Sequence, residues 1–354
     1  MAFPRYVIVA LLFIAFSCKQ PPEHRVFKLV DDHFESRLER NALNLPGAER
    51  IVDMVVIPSS NLLLISVFKD DYLLNAYSLD SLKFIRAFAK VGDKFNEQFD
   101  AQNFQVDTAG NILIVADLIK KEIFSYSLDS IRSKSNTCYP VRSLKIKSEQ
   151  LGRPLLLRDG RVAALRGPYT RSKSNFDFYD SNGSFLVTKG EYPLSVDGFS
   201  EQELSEVFLG FLALTRDGKR ILRSYLSTDV IDVYDTSGML LHRVQGPGAF
   251  EPKFKRKQVE KNISRLAFTN HSRVAYIGSM RENKDIFSLY SGSSTKVDTV
   301  QSNRIFRFSD TLGLKGIYNL GIPLICFDID FTNKKIYGFS EREPGKISLF
   351  NLPQ

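Results

Sequence analysis

Cationic side chains recur along this chain in short polar stretches, at Lys69, Lys121, Arg166, Arg171, Lys173, Arg223, Arg281, Lys284 and Arg342. Guanidinium forks match the paired oxygens of carboxylate or phosphate, so several of them brought together from separate segments would make an anion site. Left apart, they are ordinary solvated charges. A denser run, KFKRKQVEK at 253–261, gathers Lys253, Lys255, Arg256 and Lys257. It suits an anionic partner or membrane headgroups, or else a solvated loop or short helix. Asp328 and Asp330 stand two apart in an apolar stretch and so share one side of a strand. There they would line a water-filled channel or hold a cation.

The rest of the catalytic vocabulary is thin. The four histidines, His24, His33, His242 and His271, have no metal-ligand spacing, and neither H-E-x-x-H nor G-x-S-x-G occurs. GPG at 246–248 lacks the further glycine and the strand-to-helix setting of a phosphate loop. No cofactor, metal ligand or catalytic residue is assigned. Lys and Arg total 48 against 40 Asp and Glu, a net charge of +8 that is spread along the chain and not gathered into an arm. That distribution reads as a solvated basic surface and argues against nucleic acid as a partner.

The N-terminus carries its own chemistry. Arg5 precedes a run of uncharged, mostly apolar residues at 6–17, YVIVALLFIAFS. Twelve residues are too few to span a bilayer as a helix, so the segment reads as an export signal. Ala15-Phe16-Ser17-Cys18 resembles a bacterial lipoprotein cleavage box, although Phe16 stands where that box has a small residue. The resemblance implies a signal peptide over 1–18, lipid on Cys18 and membrane attachment through it. The alternative is an ordinary signal peptide that leaves Cys18 free. KQPPEH at 19–24 then reads as an extended tether, and Lys19-Gln20 in place of an acidic run favours a periplasm-facing position over the cell surface. Cys138 and Cys326 pair only if the fold brings them together; a buried free thiol suits Cys326, inside LICFDI.

What must position these groups is a repeat. An aromatic residue closes a short apolar strand and a polar turn follows, at Tyr77, Tyr126, Tyr179, Tyr234, Tyr290 and Phe350, in steps of 49, 53, 55, 56 and 60 residues. Repeats of this length built from short strands mark propeller blades, and six of them predict an all-β, six-bladed β-propeller over 25–354. Expected inner strands are MVVI (54–57), FQVD (104–107), PLLL (154–157), FLAL (211–214), LAFT (266–269) and ICFDI (325–329). The last repeat stops at Gln354 after three strands, so RVFKLV (25–30) is expected to complete it and close the ring. Second-to-third-strand and blade-to-blade connections are the longer ones and share one face, where a binding site is expected.

GPGAF followed by EPKF, the GEYP at 190–193 and the DGKRIL to DVIDVYDTSG stretch at 217–238 resemble the TolB-like six-bladed propeller lipoproteins of Gram-negative bacteria. VGDKFNEQF at 91–99 departs from that pattern. The resemblance implies a propeller in the cell envelope and, for function, a binding or scaffold role. Two readings remain open. One is a lipid-anchored module that binds a protein or small anionic ligand through its long-loop face. The other is an envelope enzyme of the lyase or lactonase type with a metal at the channel mouth.

Overall fold

The computed structural model describes residues 24–26, 35–68, 71–133, 138–166, 174–194, 196–260, 263–294 and 302–353. They form six sheets around a central axis, each a four-stranded antiparallel blade and two of them extended by a parallel outer strand, with one separate two-stranded hairpin. Blade 1 runs from Ile51 to Lys90, blade 2 from Gln102 to Lys145, blade 3 from Leu151 to Glu191 and blade 4 from Gly210 to Gln245. Blade 5 runs from Arg273 to Asn319, and blade 6 combines Cys326–Asn351 with Arg40–Asn44.

Burial and turn chemistry explain why these segments make blades. The six repeated aromatics are all buried, at 5% exposure or less, and they pack where one sheet faces the next. Where the aromatic is a tyrosine its hydroxyl must find a partner. Tyr77 donates to Pro46 O at 2.7 Å, and Tyr126 accepts from Gln98 Nε2 at 2.6 Å. In blades 3 and 4 the turn after the aromatic is built by an aspartate. Asp180 Oδ1 accepts from the N–H groups of Asn182 and Ser184, and Asp235 Oδ1 from those of Ser237 and Met239, all within 2.8–2.9 Å. Gly183 and Gly238 complete these turns at φ of 73° and 84°, which glycine adopts without penalty.

Two expectations require correction. An N-terminal strand does complete blade 6, but it is Arg40–Asn44, paired antiparallel to Lys346–Asn351. Of the segment 25–30, Arg25 and Val26 belong to the strand His24–Val26, which lies parallel along the outer strand of blade 4; residues 27–30 fall outside the described residues. Glu35–Arg37 does the same on blade 5. Arg40–Asn44 wins the closing position because Leu45 and Ala48 follow at once into a fully buried site between blades 6 and 1.

The second correction concerns blade 5. LAFT does not form an inner strand. Ile263–Phe268 pairs with Phe254–Glu260 in the separate hairpin, and the inner strand is Arg273–Asn283. The assignment therefore shifts by one strand, and Tyr290 lies on the second strand of its blade. Basic residues 253–257 make an extended strand, not a helix or loop, from Phe254 onward.

Candidate functional site

In a ring of four-stranded meanders, first-to-second and third-to-fourth turns lie at one end, and second-to-third and blade-to-blade connections at the other. The first set is tight except in blade 2, where α1 (Leu128–Arg132) lies between the third and fourth strands. The second set carries the larger structures: α2 (Glu201–Val207) between blades 3 and 4, and the hairpin 254–268 between blades 4 and 5.

These two structures are locked together into a platform. Arg256 forms a fork with Glu203 of α2, Nε to Oε1 at 2.7 Å and Nη2 to Oε2 at 2.8 Å, and Nη2 also donates to Gly198 O at 2.6 Å. Those contacts hold the Glu203 carboxyl down at about 2, the Arg256 guanidinium being the main cause. Glu203 also closes a capping box with Ser200, so the same carboxylate caps α2 and latches the hairpin. Beneath, Phe254 stacks on Phe268 at 5.2 Å between centroids and meets Phe199 edge-on at 6.3 Å. Strand alternation then turns Lys255 and Lys257 to the other side of the hairpin, where Lys257 sits directly across from Arg265. All three are exposed. Like charges placed opposite one another are unfavourable in an isolated hairpin; Glu206 of α2 is a carboxylate within electrostatic reach of Arg265, and Lys255 and Lys257 stand beside Arg265 as exposed cations.

The approach to the central channel is also charged. Asp53 (blade 1), Asp100 (just before blade 2), Arg153 (blade 3), Arg281 (blade 5) and Asp328 (blade 6) are drawn together, with Phe211 from blade 4. Arg281 Nε lies 2.8 Å from Asp328 Oδ1, and its Nη2 lies 3.8 Å from Asp53 Oδ1 and donates to Met54 O at 3.0 Å. Arg153 stacks on the Phe211 ring, 4.2 Å from its centroid, within electrostatic reach of Asp53 and Asp100. Burial pushes the Asp53, Asp100 and Asp328 carboxyls up, against the opposing pull of Arg281 on Asp53 and Asp328. Burial also pulls the Arg153 guanidinium down. It opposes the Arg281 charge too, but Asp328 and Asp53 outweigh it and hold that group above its ordinary value.

Bulges aim these side chains. The pairing of first and second strands slips between Ile51 and Asp53, between Gly152 and Pro154, and between Ile277 and Arg281. An extra residue at such a point bends the strand and redirects its neighbours, so charged residues turn inward from strands that are otherwise apolar.

The structure scatters the cationic residues expected to share a ligand face. Arg223 is an interior residue, 2% exposed, on the second strand of blade 4; it donates to Phe208 O and Asn175 O and packs on Phe176 and Tyr225. Arg281 is in the channel. Lys284 occupies the tight first-to-second turn of blade 5 and so lies at the opposite end, a consequence of the one-strand shift. Arg166 lies 3.5 Å from Asp177, and Lys121 donates to Ser148 O at 2.9 Å. Arg342 is exposed on the long-loop end of blade 6. Lys69, Arg171 and Lys173 lie outside the described residues, as does Cys18. Within the basic run, Lys253 is exposed beside the hairpin, while Arg256 points away from Lys255 and Lys257 into its latch.

Asp328 faces the channel as its spacing indicated. Asp330 is spent on its own turn, accepting from Thr332 N, Asn333 N and Asn333 Nδ2. Among the described residues no group of three or more His, Cys, Asp or Glu side chains is placed to share a metal ion. Cys138 and Cys326 are free thiols, the latter buried. Asp53 and Arg153 were not singled out from sequence, though a signal was there: each is a charge inside an apolar strand, IVDMVVI and LGRPLL.

A model of the TolB-like 6-blade propeller-like family matches residues 53–308, more than half of the chain. No curated protein sequence matches it. Among solved structures, a Bacteroides fragilis NCTC 9343 protein described as a candidate exported protein is similar, with a TM-score of 0.57 at 13% identity, covering 94% of this chain and 100% of that one. A structure of U3-55K gives a TM-score of 0.49 at 10% identity over 88% of this chain and 98% of its own. At such identities the likeness is one of fold. With six blades observed and the family pattern running through five of them, the chain belongs to the TolB-like six-bladed propeller family.

Proposed function

We propose that this protein is a lipid-anchored binding module of the cell envelope that engages a protein partner through the long-loop end, with the platform of α2 and the hairpin as its contact surface. The observation that carries this reading is the exposed face bearing Lys255, Lys257 and Arg265, with Lys257 and Arg265 directly opposed. A surface of this kind is relieved by an acidic partner, and electrostatic complementarity would speed encounter and set orientation. The envelope location and the anchor on Cys18 are supported by the apolar run at 6–17 and by the exported description of the similar Bacteroides protein. A position facing the periplasm is favoured by Lys19-Gln20.

The test is photo-crosslinking in intact cells, with a photoreactive residue at Lys257 and a control at Lys334 on the tight-turn end. Discrete adducts from position 257 alone are expected, and they should weaken in Lys255→Glu/Arg265→Glu. Identical patterns from both positions, or no adduct from 257, would reject the platform as the contact surface. Cys18→Ser tests the anchor separately, by moving the protein from the membrane fraction to the soluble one.

A further inference from the structure

We infer that the tight-turn end of the propeller is the side held against the lipid bilayer, leaving the long-loop end with its platform facing away from the membrane. This rests on the anchor proposed at Cys18, and the geometry comes from the polarity of two short strands. His24–Val26 is parallel to the outer strand of blade 4, with His24 opposite Arg243, Arg25 opposite Val244 and Val26 opposite Gln245. That outer strand, Leu240–Gln245, starts at the tight turn 236–239 and ends at the connection carrying Gly246. The chain at His24 is therefore travelling from the tight-turn end toward the long-loop end, so the strand presents its N-terminal side to the tight-turn end.

Glu35–Arg37 repeats this polarity on blade 5, parallel to Leu314–Asn319, which likewise leads away from the tight turn 309–313. Two independent pairings thus agree on the direction of the N-terminal chain around the rim.

Chain length makes the polarity decisive. From the level of Arg243 back to the tight-turn rim is about 13 Å of strand. Five tether residues, 19–23, extend at most about 17 Å. They suffice to bring Cys18 to a bilayer lying against the short turns. Reaching a bilayer at the other end would require the tether to reverse beside His24 and then clear α2 and the hairpin, which stand on that end between blades 3 and 5. In this orientation Lys255 and Lys257 face away from the bilayer, and the basic face serves a partner located away from this membrane.

The experiment uses the full acylated protein, recovered from membranes and reconstituted into phosphatidylethanolamine/phosphatidylglycerol vesicles, in a Cys138→Ser background. A fluorophore is placed at Ser237→Cys on the tight-turn end or at Lys257→Cys on the hairpin, and quenching by spin-labelled headgroups is measured. Quenching at least several-fold stronger at 237 is the expected result. Equal or reversed quenching, in protein whose flotation with vesicles requires Cys18, overturns the orientation and leaves the anchor standing. Flotation unchanged by Cys18→Ser removes the anchor and the orientation with it.

Discussion

Arg281 on the inner strand of blade 5 lies 2.8 Å from Asp328 on that of blade 6, and the same guanidinium donates to Met54 O on blade 1 at 3.0 Å. One side chain thus ties three blades together across the channel, including two that are not neighbours. Asp328 is a demanding partner: its Oδ2 also accepts from Val56 N and its Oδ1 from Ile329 N, both at 2.7 Å.

Removing the cation strands buried carboxylates. Arg281→Met is expected to destabilise the fold by about 3–5 kcal/mol, the usual cost of breaking a buried pair on one side. Burial already raises Asp53 and Asp328 above their ordinary values. A buried acid with a raised pKa favours folding while protonated, and that contribution is lost as pH rises through its folded value. The penalty of Arg281→Met should therefore be larger at neutral pH than in the carboxylate range. Urea melts at both pH values, with Arg281→Met/Asp328→Asn expected to recover part of the loss, check this.

The latch between α2 and the hairpin is expected to open without unfolding the ring. Glu203 is depressed from 4.5 to about 2 chiefly by Arg256, so the contribution of the latch is fully present above about 4.5. It fades as pH falls from there toward 2. Glu203→Gln should reproduce the open state at neutral pH. Hydrogen exchange would show faster exchange confined to 200–207 and 254–268, with the melting temperature of the ring shifted little.

Closure predicts a sharp boundary for truncation. A chain starting at residue 38 loses the two parallel outer strands but keeps Leu38, which is buried and donates to Asn319 O at 2.9 Å, and it should still melt cooperatively because Arg40–Asn44 remains paired with Lys346–Asn351. One starting at residue 46 loses that strand and Leu45, which is fully buried, and opens blade 6 to solvent. Limited proteolysis should leave the first intact and degrade the second from its C-terminal blade.

Blade 4 contains a buried polar network centred on one aspartate. Asp232, wholly buried, accepts from Tyr225 Oη at 2.7 Å and Tyr234 Oη at 2.8 Å, and takes both Nε and Nη2 of Arg243 at 2.6 and 2.9 Å. Asp232→Ala leaves a guanidinium and two hydroxyls without their acceptor, and a loss of about 3–5 kcal/mol is expected. Tyr234→Phe removes one donor to Asp232 and one acceptor of Asn175 Nδ2, which keeps Glu191 O and Tyr225 Oη, and should cost about 1 kcal/mol. Thermal melts that ranked these two variants in the opposite order would show that the network is not what holds this blade.

The repeating aromatics and the aspartate-glycine turns by themselves determined the propeller, its blade number and the two unequal ends, because those features depend on contacts within a few residues or one blade. Asp328 was legible for the same reason, being one of a pair on a single strand. Closure was not: Arg40–Asn44 has a weaker strand pattern than RVFKLV, and what selects it is the buried seat of Leu45 between two blades distant in sequence. Nor was the hairpin, since a strand-like LAFT reads the same whether its partner is the next repeat or the basic run before it. The grouping of Arg153 and Arg281 with Asp53, Asp100 and Asp328 came only from ring closure, which brings five separate blades around one axis. The displacement of Arg223 into an interior site came from packing, since a guanidinium that finds two backbone carbonyls and two aromatic faces is better satisfied there than its charge alone would suggest.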